Sequence, residues 1–119
     1  MKQRIRYYYK MRVETRLRIG KEKIFMGKGV RIILDAIDKY QSIKKACEVT
    51  GISYPKAMRI LQTFEHELGF AAVISEKGGS HYGGTKLSEK GRAVLECYRS
   101  IESDVELYAK KLVREKFKF

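Results

Sequence analysis

Three serines punctuate the chain. Ser42, Ser53 and Ser88 each directly precede a run of apolar residues at helical spacing, and the first two runs end at Gly51 and Gly69. A serine hydroxyl satisfies free N–H groups of a first helical turn, and a glycine just past the last turn closes it. These signals predict a short helix over about 43–50, a tight turn, and a longer helix over about 54–68. Pro55 falls in the first turn of the second helix, where its missing N–H removes no hydrogen bond. Ile43, Ala46, Cys47 and Val49 are read as the inward side of the first helix. Ala57, Ile60, Leu61, Phe64 and Leu68 form the buried stripe of the second.

Upstream the period is two. Tyr9, Met11, Val13, Thr15, Leu17 and Ile19 share one side, and Lys10, Arg12, Glu14, Arg16 and Arg18 the other. That alternation predicts a half-buried strand. GKEK at 20–23 turns the chain and IFM at 24–26 returns it, so the strands lie within about 9–26. Helical period resumes at Val30, Ile33, Leu34 and Ile37, in a helix over about 29–41. After Gly69, two short apolar runs flank EKGGSHYGGTK, a hairpin over about 71–87 with a glycine-rich tip. Ser88 opens a last helix that runs to about Lys116. The expected class is α+β, mainly α: a domain over 1–87 followed by a terminal helix within 88–119.

A short helix, a turn with glycine and a second helix make a helix-turn-helix unit, and a β-hairpin after it makes the winged form. In that unit the N-terminal end of the second helix enters the major groove. Small Ala46 and Cys47 let the pair approach, and Ile52 fills the space between them. Ser53, Tyr54, Lys56, Arg59 and Thr63 are left facing outward. Arginine pairs bidentately with guanine, and hydroxyls suit phosphates or base edges. Ser42, Lys44 and Lys45 open the first helix beside them. Lys77, Ser80, His81, Tyr82 and Lys86 lie on or next to the wing, placed for phosphates or the minor groove. The plainer alternative is an αα-hairpin whose polar face is simply solvated.

Charge points the same way. The 119 residues carry a formal net charge of +12, and residues 1–28 hold ten Lys/Arg against Glu14 and Glu22. A polyanionic partner is favoured, either nucleic acid or a membrane surface, though global charge alone does not locate the binding face. No apolar run reaches the ~20 residues needed to cross a bilayer, and the basic start lacks a signal peptide's apolar core. Two cysteines without motif spacing fit a reducing cytoplasm, and for a DNA-binding protein the nucleoid. Cys47, Cys97, His66 and His81 show no ligand spacing, so no metal is expected. Cys47 reads as a small core residue, and Cys97, beside the last helix's seam, as a buried inert thiol in preference to a cross-linking or redox-sensing one. GSHYGGTK misses the order of a phosphate loop, because Thr85 precedes Lys86. No nucleophile–base pair or cofactor loop can be assembled, so the chain reads as a non-enzyme without cofactor.

The last helix carries its own signal. Val94, Tyr98, Ile101, Val105, Tyr108 and Leu112 are spaced 4-3-4-3-4, a heptad seam. Residues 89–116 as one helix span ~42 Å, against a radius of gyration of ~13 Å for a domain this size. The helix therefore overhangs its own core, and the simplest cover is the same helix of a second subunit. Two-fold symmetry then predicts inverted half-sites with centres ~34 Å apart or a multiple of it.

SIKKACEVTGISYPKAMRILQTFEHELGF followed by KLSEKGRAVL resembles the N-terminal DNA-binding domain of the ModE family of molybdate-responsive regulators, and more distantly the winged helix of LysR-type regulators. The marks are Ser42-Ile43, Ala46, Gly51-Ile52-Ser53-Tyr54, Lys56-Ala57, Arg59, Leu68-Gly69 and Leu87 to Gly91, with FMGKG and DAID upstream. The resemblance covers roughly residues 12–100. It implies a dimeric transcription factor binding double-stranded DNA, with Ser53, Tyr54, Lys56 and Arg59 on the recognition helix. The family's molybdate-binding domains have no counterpart in these residues, so no oxyanion sensing and no small-molecule effector is carried over. The competing expectation is a weakly specific nucleic-acid-coating protein driven by the basic N-terminus. The Tyr7-Tyr8-Tyr9 cluster could stack on bases of RNA, though such residues more often fill a strand face or an interface.

Overall fold

The computed structural model describes residues 11–76 and 84–118. In chain order these form β1 (Ile19–Gly20), β2 (Ile24–Met26), α1 (Lys28–Tyr40), α2 (Ile43–Thr50), α3 (Tyr54–Leu68), β3 (Val73–Glu76), β4 (Gly84–Leu87) and α4 (Glu89–Lys116). The class is α+β and mostly helical, with two separate antiparallel hairpins, β1–β2 and β3–β4.

The helices begin where their caps dictate. Ser42 accepts a hydrogen bond from the Lys45 N–H at 3.0 Å, Ser53 from Lys56 at 3.2 Å and Ser88 from Gly91 at 2.9 Å. Between α2 and α3 the chain reverses through Gly51, whose φ of 75° lies in the left-handed region that side chains disfavour. Ser88 is pinned twice more: its hydroxyl donates to the Ala71 carbonyl at 2.7 Å, and its N–H to Ala72 at 2.8 Å. The β3–β4 hairpin and the last helix therefore join at one fixed corner.

The strand predicted over 9–19 is shorter than its alternation suggests. Met11, Val13, Leu17 and Ile19 are half-buried and Arg12, Glu14, Arg16 and Arg18 exposed, but only Ile19 and Gly20 are paired. A ladder needs a partner strand, and the returning run ends at Met26 because Gly27 already caps α1. Residues 9 and 10 lie outside the described residues.

One core joins all the helices. Met26, Ile33, Leu34, Ile37, Ala46, Ala57, Phe64, Leu95 and Tyr98 are buried together. Phe64 stands at its centre, with Phe25 and Phe70 edge-on at 6.3 and 5.9 Å between ring centroids. Val49 departs from expectation: it is exposed on the outer side of α2, whose buried contact is Ala46. Around this core α1 and α4 are tied by charge. Arg92 forks onto Asp38, Arg99 meets Asp35, and Arg31 Nε lies 3.1 Å from Glu102.

Beyond Tyr98 the helix leaves the core. The molecule measures 65 × 29 × 23 Å with a radius of gyration of 18.5 Å, well above the ~13 Å of a compact chain this long.

Candidate nucleic-acid interface

The capped start of α3 is the most exposed part of the helix pair. Tyr54 is 54% exposed, and Ser53, Lys56 and Arg59 are exposed beside it. Lys56, Arg59 and Thr63 follow one another at i, i+3 and i+7, so they share a face, and Thr63 is half-buried at its edge. On the opposite side Ala57, Leu61 and Phe64 are buried, which fixes the direction in which Lys56 and Arg59 point. The Ser53 hydroxyl oxygen caps the helix, and its O–H is left to donate outward.

Charge balance separates this face from the rest of the surface. Lys44, Lys56 and Arg59 make no ion pair among the described residues. Lys45 lies 4.0 Å from Glu48, both well exposed, and such a contact neutralises little. Ser42 is half-buried at the start of α2, its oxygen committed to the cap. Lys86 projects from β4 opposite Ile74, with its side chain exposed. Lys77, Ser80, His81 and Tyr82, expected on the wing, lie outside the described residues.

The heptad seam needs a correction. Tyr98 is 1% exposed and belongs to this chain's own core, where its hydroxyl donates to the Leu17 carbonyl at 2.8 Å. Val94 is half-buried against the same core. Both satisfy the heptad period by packing at home, since α4 is still docked on the domain there. The open apolar residues are Ile101, Val105, Leu107 and Tyr108, with Leu112 half-buried further out. They continue from an apolar groove of about 280 Å³ between β1–β2 and α4, lined by Ile19, Phe25, Leu68, Val94, Cys97 and Ile101.

Cys97 is a second correction. It is exposed at the mouth of this groove rather than buried, because it sits one position off the docked stripe. Cys47 is half-buried, and burial pushes its thiol above the usual range. His66 is exposed on α3. No cluster of three or more His, Cys, Asp or Glu that could hold a metal occurs among the described residues.

Glu67 is the feature that sequence reading missed. In the last turn of α3, only 8% exposed, its carboxylate accepts the Lys23 N–H from the β1–β2 turn. A glutamate on an otherwise polar helix end gives no sign of a partner 44 residues away.

Together a helix pair, a hairpin after it and a helix face whose cations make no ion pair among the described residues are consistent with a winged helix. No family model matches the chain. It is 33% identical over 70 residues to the molybdenum transport protein ModE of Azotobacter vinelandii, a match covering 59% of this chain and 26% of that protein. The chain thus spans about a quarter of the length of this curated relative. No helix among the described residues is long and apolar enough to cross a membrane.

Proposed function

We propose that this chain is a sequence-specific DNA-binding transcriptional regulator that acts as a homodimer on an inverted repeat. The reading rests above all on the N-terminal end of α3, where a serine-capped helix start presents exposed Tyr54, Lys56 and Arg59, the last without an ion pair among the described residues. In this reading residues 54–67 lie in the major groove. Arg59 reads a base, Lys56 and the helix's own N–H groups hold phosphates, and Tyr54 and Ser53 donate hydroxyls beside them. The wing follows the flanking backbone or minor groove. The partial match to ModE supports DNA binding at the level of the class. The overhanging half of α4, with Ile101, Val105 and Tyr108 open, supports pairing with a second copy.

Selection of bound sequences from a random duplex library, with purified protein at near-physiological salt, tests the whole reading. Non-specific binding is weak there, so an enriched inverted repeat is expected. Binding at low salt with no enriched sequence would instead favour the coating protein.

A further inference from the structure

From the structure we infer that the β1–β2 hairpin is a second DNA-backbone contact, mounted rigidly on the C-terminal end of the recognition helix. The inference rests on the DNA-binding reading and assigns it a surface outside the helix pair and the wing.

Free positive charge is the first ground. Arg16, Arg18, Lys21, Lys23 and Lys28 are exposed, and none makes an ion pair among the described residues. On α4 the cations divide: Arg92, Arg99, Lys110 and Lys111 each meet a carboxylate, while Arg114 and Lys116 at its far end are exposed and make no ion pair among the described residues. The exposed acids at the hairpin end are Glu22 and Glu65, while Glu14 is engaged by Arg12 at 3.0 Å. Among the described residues, five unpaired cations against two free carboxylates leave the hairpin and its flanks with net positive charge.

The second ground is that the hairpin is built to hold its shape. A Cβ at Gly20 would lie 2.6 Å from the Lys23 carbonyl oxygen, so the turn closes more tightly than any side chain permits. The Lys21 N–H donates to that same carbonyl at 3.3 Å. Lys23 N–H then donates to Glu67, which anchors the turn to the last turn of α3. A carboxylate this buried is costly unless hydrogen-bonded, so the anchor is specific. Cations on an ordered backbone give up less freedom on binding than those on a loose terminus.

Geometry supplies the third. The fifteen residues of α3 span ~22 Å at ~1.5 Å each, while the major groove is ~12 Å wide. A helix inserted by its N-terminal half must carry its other end past the groove's edge, where the bounding phosphates run. The hairpin sits at that end.

The experiment compares R18Q/K21Q/K23Q with R114Q/K116Q/K118Q, which removes equal charge from the far end of α4 and the residues just past it. All six side chains are exposed, and thermal melts of both triples should match the wild type. Dissociation constants are measured on a fixed mixed-sequence duplex across a range of salt concentrations. Each lost phosphate contact should flatten the log–log salt dependence by ~0.9, so the hairpin triple should lose about 2 to 3 from its slope. The distal triple should keep the wild-type slope. Equal slopes in the two triples would overturn the assignment while leaving DNA binding intact. Wild-type protein that binds no duplex even at low salt would overturn the DNA-binding reading itself.

Discussion

The Tyr98 hydroxyl donates to the Leu17 carbonyl at 2.8 Å, joining the long terminal helix to the segment before β1 across 81 positions. The ring is buried beside Leu95 and Met26, and burial, with the Glu102 carboxylate near, pushes the phenol's pKa up. Tyr98→Phe keeps the ring and strands the carbonyl, a loss of about 0.5–1.5 kcal/mol in urea denaturation. Tyr98→Ala should cost about 3–5 kcal/mol. Neither side of that comparison involves a partner, so Tyr98→Phe should leave the sedimentation coefficient unchanged. A variant that folds normally but changes its assembly would place Tyr98 at an interface after all.

Two helical glycines should respond with opposite signs to alanine. At Gly91 a Cβ would lie 2.2 Å from the Ala72 carbonyl oxygen, a backbone atom already accepting from Ser88. Overpacking of this kind costs about 1–3 kcal/mol, more than the ~1 kcal/mol that alanine gains in helix propensity. A Cβ at Gly29 would meet nothing within 4 Å, so alanine there keeps whatever propensity gain a first-turn position allows. Thermal melting should therefore fall for Gly91→Ala and rise for Gly29→Ala.

The Asp38–Arg92 pair predicts a pH dependence. The hydrogen-bonded Arg92 guanidinium holds the Asp38 carboxyl below its ordinary range, outweighing the opposing effect of burial. A depressed carboxylate stabilises the fold above its unfolded pKa of about 3.9, and that contribution is lost as pH falls through the lower, folded value. Asp38→Asn should thus be less stable than wild type at neutral pH, and the gap should close under acid. Both side chains are partly exposed, so salt should narrow the gap as well. Urea midpoints at neutral and acidic pH decide the matter; a gap constant with pH would point to packing instead.

What could be read from the sequence divides by distance along the chain. Ser42, Ser53 and Ser88 each cap a backbone N–H only three residues on, so helix starts were legible, and Gly51 and Gly69 marked the stops for the same local reason. The stretch before Ile19 alternates as read except at Thr15, which is exposed on the inward side, and periodicity reports which side is buried and not whether a partner strand exists. A heptad spacing has the same blind spot, because packing on one's own core and on a second copy demand the same apolar period. That is how Tyr98 joined the seam by pattern and the core by structure. Glu67, Asp38 and Arg99 meet partners 44 to 64 positions away, and no local rule brings such pairs together.

Assembly should depend on the outer half of α4 alone. Val105 is 39% exposed and Ile101 43%, on the helix beyond its last core contact. Val105→Asp removes nothing from the monomer's core, so its melting under dilute conditions should hold. In a paired seam it would bury an unpartnered carboxylate, which costs far more than the apolar contact it replaces. Sedimentation should show a dimer for wild type and a monomer for Val105→Asp. A monomeric wild type would remove the homodimer from the proposed function and leave the apolar stripe to another protein.

Arg59 and Lys56 share a face but should fail differently. A guanidinium that forks onto a guanine discriminates one base pair, so Arg59→Ala should cost about 1–3 kcal/mol on the selected site and relax preference at one position of each half-site. A lysine on a phosphate carries no sequence information. Lys56→Ala should weaken binding to selected and mixed-sequence duplexes by a similar factor, with the salt slope reduced by about one. Repeating the random-library selection with each variant separates the two roles: the Arg59 variant should return an altered motif, and the Lys56 variant the wild-type motif at lower affinity. If the Arg59 motif came back unchanged at wild-type affinity, base readout would have to lie elsewhere on the helix pair, with Tyr54 at the exposed start of α3 the first residue to replace.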